Sequence, residues 1–320
     1  MLTPGEVHER WRALGERLDT VILGQEAVKE KVLVCLLAGG HALLEGVPGT
    51  AKTLLALALA RLLGCHVRRI QFTPDLMPAD LLGTNVYNQK TQEFDFRPGP
   101  IFTDLLLADE VNRTPPRTQA ALLECMQEAA ATVDGKRYRI SPVFTVLATQ
   151  NPVEFEGTYP LPEAQRDRFL MKVAIDYPAR EDEARIVEAY ASGRRLHDEA
   201  VEALSAVMNR DDLAASREAV RRGVRVDTGI QRYVLDVVTA TRRDEAVQIG
   251  AGPRASIALV DCARARAALH GRDFVTPDDV KGQAHAVLAH RVTLAPEAEM
   301  EGTTLEDVLR RLLETVEVPR

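Results

Sequence analysis

The octapeptide Gly46-Val-Pro-Gly-Thr-Ala-Lys-Thr53 constrains this chain more than any other stretch, because of what flanks it. A short apolar run, His41-Ala-Leu-Leu-Glu45, leads directly into Gly46. From Ala51 onward, AKTLLALALARLLG has the spacing of a buried helix and stops at Gly64. A strand is predicted next, over His66 to Gln71. Strand, glycine loop, helix and strand is the order in which a βαβ unit offers backbone N–H groups and the positive end of a helix to phosphate. The usual pattern has glycine immediately before the lysine, and here that place is Ala51. A methyl group is tolerated there if φ is negative, and alanine favours the helix beginning at that point. On this reading Gly46 and Gly49 serve the turns, Lys52 neutralises β/γ-phosphate charge and Thr53 holds Mg2+. Taken alone, the motif also reads as a Gly-rich turn without a ligand.

Two later stretches narrow the choice. Phe102 to Glu110, FTDLLLADE, is a continuous apolar run ending in two acids and reads as a buried parallel strand. Its C-terminal end is expected beside the phosphate loop, where Asp109 supports Mg2+ and Glu110 orients and deprotonates water. The bland alternative is a core strand followed by a helix-capping acid. Val143 to Pro152 is a second such strand, and Asn151 at its end can position the water or simply belong to an Asn-Pro turn. A third strand is expected over Leu170 to Ile175. The fold class is therefore α/β, a parallel sheet core over residues 1–178.

After Pro178 clear strand signals vanish and residues 179–320 read as an all-α lid domain. The segment TTLEDVLRRLLETV is expected to start with a Thr303/Glu306 capping box. At the other end of the chain, Thr3 and Glu6 form such a box ahead of a helix running to about Leu18, and another helix is expected over 26–38. Two β-hairpins are predicted inside the core, one turning at Asn88 to Glu93 and one at Asp134-Gly135.

Composition bounds the setting. The net charge is −7 over 320 residues, which argues against a dedicated nucleic-acid binder. Four cysteines, none at C-x-x-C spacing, read as buried free thiols of a reducing compartment. The first twenty residues are charged and helical in pattern, unlike a signal peptide, and the apolar run at Leu54 to Ala60 is too short to span a bilayer. A cytoplasmic protein without membrane insertion is expected. His285 and His290 lie on different helix faces and make poor metal ligands. Arg217, Arg221, Arg222 and Arg225 read as a solvated helix face.

Together, GVPGTAKT, LLLADEVNRTPPRTQAALLECMQE, ATQNPVEFEGTYPLPEAQRDRF and GPRAS closely resemble the MoxR family of AAA+ ATPases. The likeness extends from VILGQEAVKEKV to GPRASIALVDCARARAAL. In that family alanine commonly precedes the lysine, so Ala51 matches the pattern. The resemblance makes Gly46, Val47, Pro48, Gly49, Thr50, Ala51, Lys52, Thr53 and Leu54 the phosphate loop (Walker A), and Asp109 and Glu110 the acid pair (Walker B). Asn151 matches sensor 1, Arg168 the finger that reaches a neighbouring subunit's nucleotide, and Arg254 sensor 2. Arg254 is expected to point into the cleft between the domains of its own subunit. Leu23 and Gly24 lie in the strip Val21 to Gln25 that contacts adenine. Arg166 departs from the family's usual apolar residue and puts a second arginine beside the finger position.

The implied protein binds ATP/ADP and Mg2+, hydrolyses ATP and forms a ring, expected to be a hexamer with both hairpins facing its pore. The implied role is chaperone-like: maturing or activating partner complexes, with a von Willebrand factor A domain protein as partner and no nucleic acid. A nucleotide-gated scaffold with negligible turnover and a DNA-directed motor are the other classes open to such a sequence.

Overall fold

The computed structural model describes residues 2–47, 49–151, 157–193 and 198–319. In chain order the elements are α1 (Pro4–Leu18), α2 (Glu26–Ala38), β1 (Ala42–Gly46), α3 (Lys52–Leu62), β2 (Val67–Gln71), α4 (Pro78–Leu82), β3 (Gly83–Asn88), β4 (Glu93–Pro98) and β5 (Leu105–Asp109). There follow α5 (Pro116–Glu128), β6 (Ala130–Val133), β7 (Lys136–Arg139), β8 (Thr145–Gln150), α6 (Glu163–Arg166), β9 (Met171–Ile175), α7 (Arg180–Ala191) and α8 (Asp198–Glu202). The chain ends with α9 (Arg210–Gly223), α10 (Thr228–Ala240), β10 (Val247–Ile249), α11 (Pro253–Leu269), α12 (Pro277–Leu288), β11 (Thr293–Leu294), α13 (Pro296–Met300) and α14 (Leu305–Thr315).

The core is a five-stranded sheet ordered β2-β5-β8-β1-β9, with every pair parallel. The inner strands β5 and β8 are covered on both faces and carry little polar patterning, while the edge strand β2 exposes Arg68, Arg69 and Gln71. In β5 every residue is buried, Leu105 through Asp109. The strand is shorter at its N-terminal end than the apolar run suggested. Thr103 and Asp104 are instead held in a turn, where Thr103 Oγ1 donates to His66 O at 2.7 Å and Asp104 Oδ2 accepts from His66 N at 2.9 Å. The capping box at Thr3 and Glu6 forms as its sequence dictates.

The two hairpins form, with β3 pairing β4 and β6 pairing β7. Phe96 of the first stacks on Tyr138 of the second at 3.9 Å, and Asn85 Nδ2 donates to Asp134 Oδ2 at 2.6 Å. The hairpins thus form one unit. Tyr87 and Phe94 near the tip of the first are exposed.

Beyond β9 the chain is mostly helical, with one correction: β10 and β11 form a small antiparallel pair. Its strands of three and two residues are too short to leave a period-two signature. The last helix is capped one residue later than expected, by Thr304 accepting from Asp307 N. The C-terminal helices do not stand apart from the core. Trp11 and Leu14 of α1, Val32 and Leu36 of α2, and Leu259 and Cys262 of α11 belong to one buried apolar cluster. Arg217 leaves the solvated face expected of it: Nε donates to Leu36 O and Nη2 to Thr145 Oγ1, both at 2.8 Å. Arg221 and Arg222 pair with Glu218 on the surface. Cys35, Cys125 and Cys262 are buried and Cys65 half-buried, all as free thiols. Among the described residues no helix is long and apolar enough to cross a membrane.

Two histidines tie the chain together in their neutral form. His41 Nδ1 accepts from Val146 N at 2.9 Å, so its Nε2–H donates to Met126 O at 3.0 Å. Desolvation pushes His41 down to about 4. His290 contacts Phe169 O through Nε2 at 3.0 Å, and burial holds it well below its ordinary value. An unfolded histidine titrates near 6.5. Between about 4 and 6.5 the unfolded chain therefore binds more protons, so stability rises with pH across that window. Thermal melts should show stability complete above about pH 6.5 and declining as pH falls toward 4. His41→Gln should flatten part of that decline relative to its own value at pH 7.5.

Candidate functional site at the sheet edge

Parallel pairing brings the C-terminal ends of β1, β2, β5 and β8 to one edge. In register, Glu45 lies opposite Gln150, Gln71 opposite Asp109, and Ala108 opposite Ala148. Extending these pairs sets Glu110 level with Gln150, one residue short of Gly46 and Asn151, so the three lie within one step of each other. A cavity of about 390 Å³ opens there, lined by the loop and first turn Gly49 to Leu54, by Asp109, Glu110 and Asn151, and by Arg69, Gln71 and Thr149. Ligands of open α/β sheets bind at this kind of crevice, outside the carboxyl ends of the strands.

The loop has the construction its sequence requires. A Cβ on Gly46 would stand 2.3 Å from Ile175 O, so only glycine permits β9 to approach there. Gly49 has φ +84°, a conformation side chains disfavour. Pro48 lies outside the described residues. Lys52 Nζ donates to Gly46 O and Val47 O, both at 2.7 Å, and Thr50 Oγ1 donates to Val47 O at 3.0 Å. Desolvation lowers the lysine's proton affinity, and the charges of Asp109 and Glu110 partly restore it. Ala51 differs from expectation. It has φ +61° and ψ +20°, because α3 begins one residue later, at Lys52, and Ala51 is its left-handed N-cap. The methyl group is therefore accommodated at a cost of about 1–2 kcal/mol relative to an ordinary backbone.

The acid pair is held by neighbours that sequence reading missed. Asp109 is buried, pairs with Arg69 Nε at 2.6 Å through Oδ2, and accepts from Thr149 Oγ1 at 3.2 Å through Oδ1. The same Thr149 oxygen accepts from Glu110 N at 2.8 Å. Glu110 itself is left-handed, φ +56°, a strain that clusters at functional positions. Its Oε2 accepts from Gln71 Nε2 at 2.5 Å and from Arg113 Nη1 at 3.0 Å. Arg69 and Gln71 alternate on β2, and their pairing with β5 was the only signal that could have found them.

The donor set fits a phosphate–magnesium ligand. Thr53 and Asp109 supply hard oxygen donors, few in number, as Mg2+ prefers when phosphates and water complete its shell. Lys52 and the start of α3 supply positive potential.

The remaining expected residues lie elsewhere. Arg168 follows α6, and Leu170 N donates to His41 O at 2.8 Å, at the start of β1. The five residues of β1, at about 3.3 Å each, put the sheet's opposite edge about 16 Å from the loop. Arg254 is also not brought to the cavity. Its Nη1 lies 3.4 Å from Asp167 Oδ2, and that carboxylate is held by Arg291 Nε at 2.7 Å. The expected approach to its own subunit's cleft is thus corrected: α11 packs along α2 and α1 and carries its N-terminus to the Arg168 side. Leu23 is half-buried, and Gly24 abuts Asp182 of α7. Gln25 lines a second cavity of about 650 Å³ together with Asp176, Tyr177 and Leu309.

If Ala51 is held left-handed, Ala51→Gly should raise stability in chemical denaturation by up to about 1 kcal/mol without loss of nucleotide binding. A destabilised variant would place Ala51 in the ordinary helical region instead.

Comparison with known proteins agrees with this arrangement. Residues 41–171 match the ATPase family associated with various cellular activities (AAA), and residues 239–312 match the AAA lid domain. Chaperone MoxR1 of Mycobacterium tuberculosis is 43% identical, covering 98% of this chain and 84% of that protein. Protein MoxR of Methylorubrum extorquens is 33% identical over 99% of both. A crystal structure from Cytophaga hutchinsonii superposes with TM-score 0.88 at 37% identity, covering 98% of this chain and 96% of that one. On these similarities and the geometry of its phosphate loop, the chain belongs to the MoxR family of AAA+ ATPases.

Proposed function

We propose that the protein is a Mg2+-dependent ATPase whose active site is completed between neighbouring subunits of a ring, expected to be hexameric. The observation that carries this reading is the separation of parts. Lys52, Asp109, Glu110 and Asn151 meet at one sheet edge, while Arg168 and Arg254 stand at the other.

The backbone of residues 49–53 and Lys52 hold the β- and γ-phosphates, and Thr53 with Asp109 would hold Mg2+. Held there, Mg2+ would supply neutralisation of charge on the transferring phosphoryl group. Asp109 shares its Oδ2 with Arg69 and its Oδ1 with Thr149. Glu110 accepts the proton of the attacking water, and Asn151 orients that water. Strip residues Leu23 and Gly24 border the base, with Gln25 entering the neighbouring cavity. Residues 1–178 act as the core and 179–320 as the lid.

A guanidinium on the opposite edge can reach only a neighbour's phosphates. Arg168 fits better than Arg166. Its side chain makes no hydrogen bond or ion pair among the described residues, whereas Arg166 lies 3.9 Å from Glu163. Arg254 shares Asp167 with that edge and acts beside Arg168, in trans. The joined hairpins carry exposed Tyr87 and Phe94 and face the pore. By its family the protein acts as a chaperone-like remodeller in the cytoplasm, with a von Willebrand factor A domain protein as partner.

The division of labour is tested by calorimetric titration with ATP alongside phosphate release. Lys52→Ala should weaken binding at least tenfold. Glu110→Gln should bind normally and lose turnover by about 10²-fold or more, because an amide cannot accept the proton. Equal loss of binding in both variants would contradict the assignment.

A further inference from the structure

Helix α7 is twelve residues long and buries none of them. Helices of similar length in this chain behave otherwise: α5, α9 and α12 each bury at least four residues. A helix of this length is marginal in water unless a face of it packs against something. Nor is α7 polar all round. Asp182, Ile186 and Ala189 form a half-buried inner face, while Val187 and Tyr190, at i and i+3, share an outer side, 62% and 51% exposed. Tyr177, just ahead of the helix, is 73% exposed. The remainder carries Glu181, Asp182, Glu183 and Glu188 against only Arg180 and Arg185, so the helix is acidic overall.

Its position says what covers it. β9 ends at Ile175, which pairs with Gly46 at the mouth of the phosphate loop. Helix α7 starts from that edge, and its Asp182 touches Gly24. A neighbouring copy that delivers Arg168 to this loop must bring its own opposite edge alongside. That edge is basic, with Arg166, Arg168 and Arg254 around Asp167. Head-to-tail contact of two different faces is the type that closes into rings.

We infer that the apolar stripe of α7, centred on Val187, is an intersubunit surface covered by the arginine-bearing edge of a second copy of this chain. The inference rests on the ring reading above and deepens it: α7 is a positioning element for the shared nucleotide site, holding the neighbour's edge in register with the phosphate loop.

The test uses the full chain carrying Glu110→Gln, with Mg2+ and ATP, and reads mass by light scattering. Adding Val187→Glu should leave the protein folded by circular dichroism and ATP affinity within about twofold, while the subunit concentration needed for assembly rises at least tenfold. Leu235→Glu, at a comparably exposed apolar position on α10 (53% exposed), should assemble like the parent. Hydrogen exchange supplies a readout that does not depend on the variants: in the parent, amides of α7 should slow at least tenfold on assembly. Rings that form equally well with Val187→Glu, or α7 amides that stay unprotected in assembled rings, overturn the inference and leave the ring reading standing. A parent chain that stays monomeric with ATP overturns both. Protection of α7 that appears only when another protein is added assigns the stripe to that partner and also overturns it.

Discussion

Everything at the candidate site depends on the in-register parallel pairing of β5, β8 and β1. That pairing fixes the level at which each strand ends, and so brings Asp109, Asn151 and the phosphate loop together from distant parts of the chain. Thr149 is the link that makes the arrangement rigid. Its hydroxyl donates to Asp109 and accepts from the Glu110 amide, so the end of β8 sets the position of both acids. Loss of a buried donor between a carboxylate and an amide costs about 1–3 kcal/mol, and here it would also release the backbone of Glu110 from its left-handed conformation.

The same sheet separates the candidate site from Arg168 and Arg254. Parallel strands have two unlike edges, one where strands end and one where they begin. The phosphate loop occupies the first. The turn after α6, with Asp167 and Arg168, occupies the second, because β9 must start there to pair with β1. Asp167 joins Arg254 of α11 and Arg291 beyond α12 to that turn. Two ion pairs thus join the lid helices to the turn that carries Arg168.

Much of this was legible in the sequence because it is local. The Thr3/Glu6 box, the apolar β5 run and the glycine loop each carry their cause within a few residues. The placement of Lys52, Asp109 and Glu110 beside one cavity was legible because the strand ends of an α/β sheet are predictable. Arg69, Gln71 and Thr149 were not, since each acts across the sheet on a residue about forty positions away and nothing local marks it. Arg254 was read with the correct helix start but the wrong surroundings, because the packing of α11 on α1 and α2 is a tertiary fact. The backbone of Ala51 escaped for a different reason. Alanine's helix preference suggested a first-turn residue, and the loop geometry made it the cap.

The central claim is that one nucleotide site is built from two subunits. Mixing Arg168→Ala with Lys52→Ala chains tests it most directly. Each parent assembly lacks one half of every site and should hydrolyse ATP poorly. In mixed rings some interfaces pair an intact loop with an intact Arg168, so phosphate release should partly return and follow the fraction of such interfaces. No recovery at any ratio, with subunit exchange confirmed by energy transfer between labelled chains, would contradict the account.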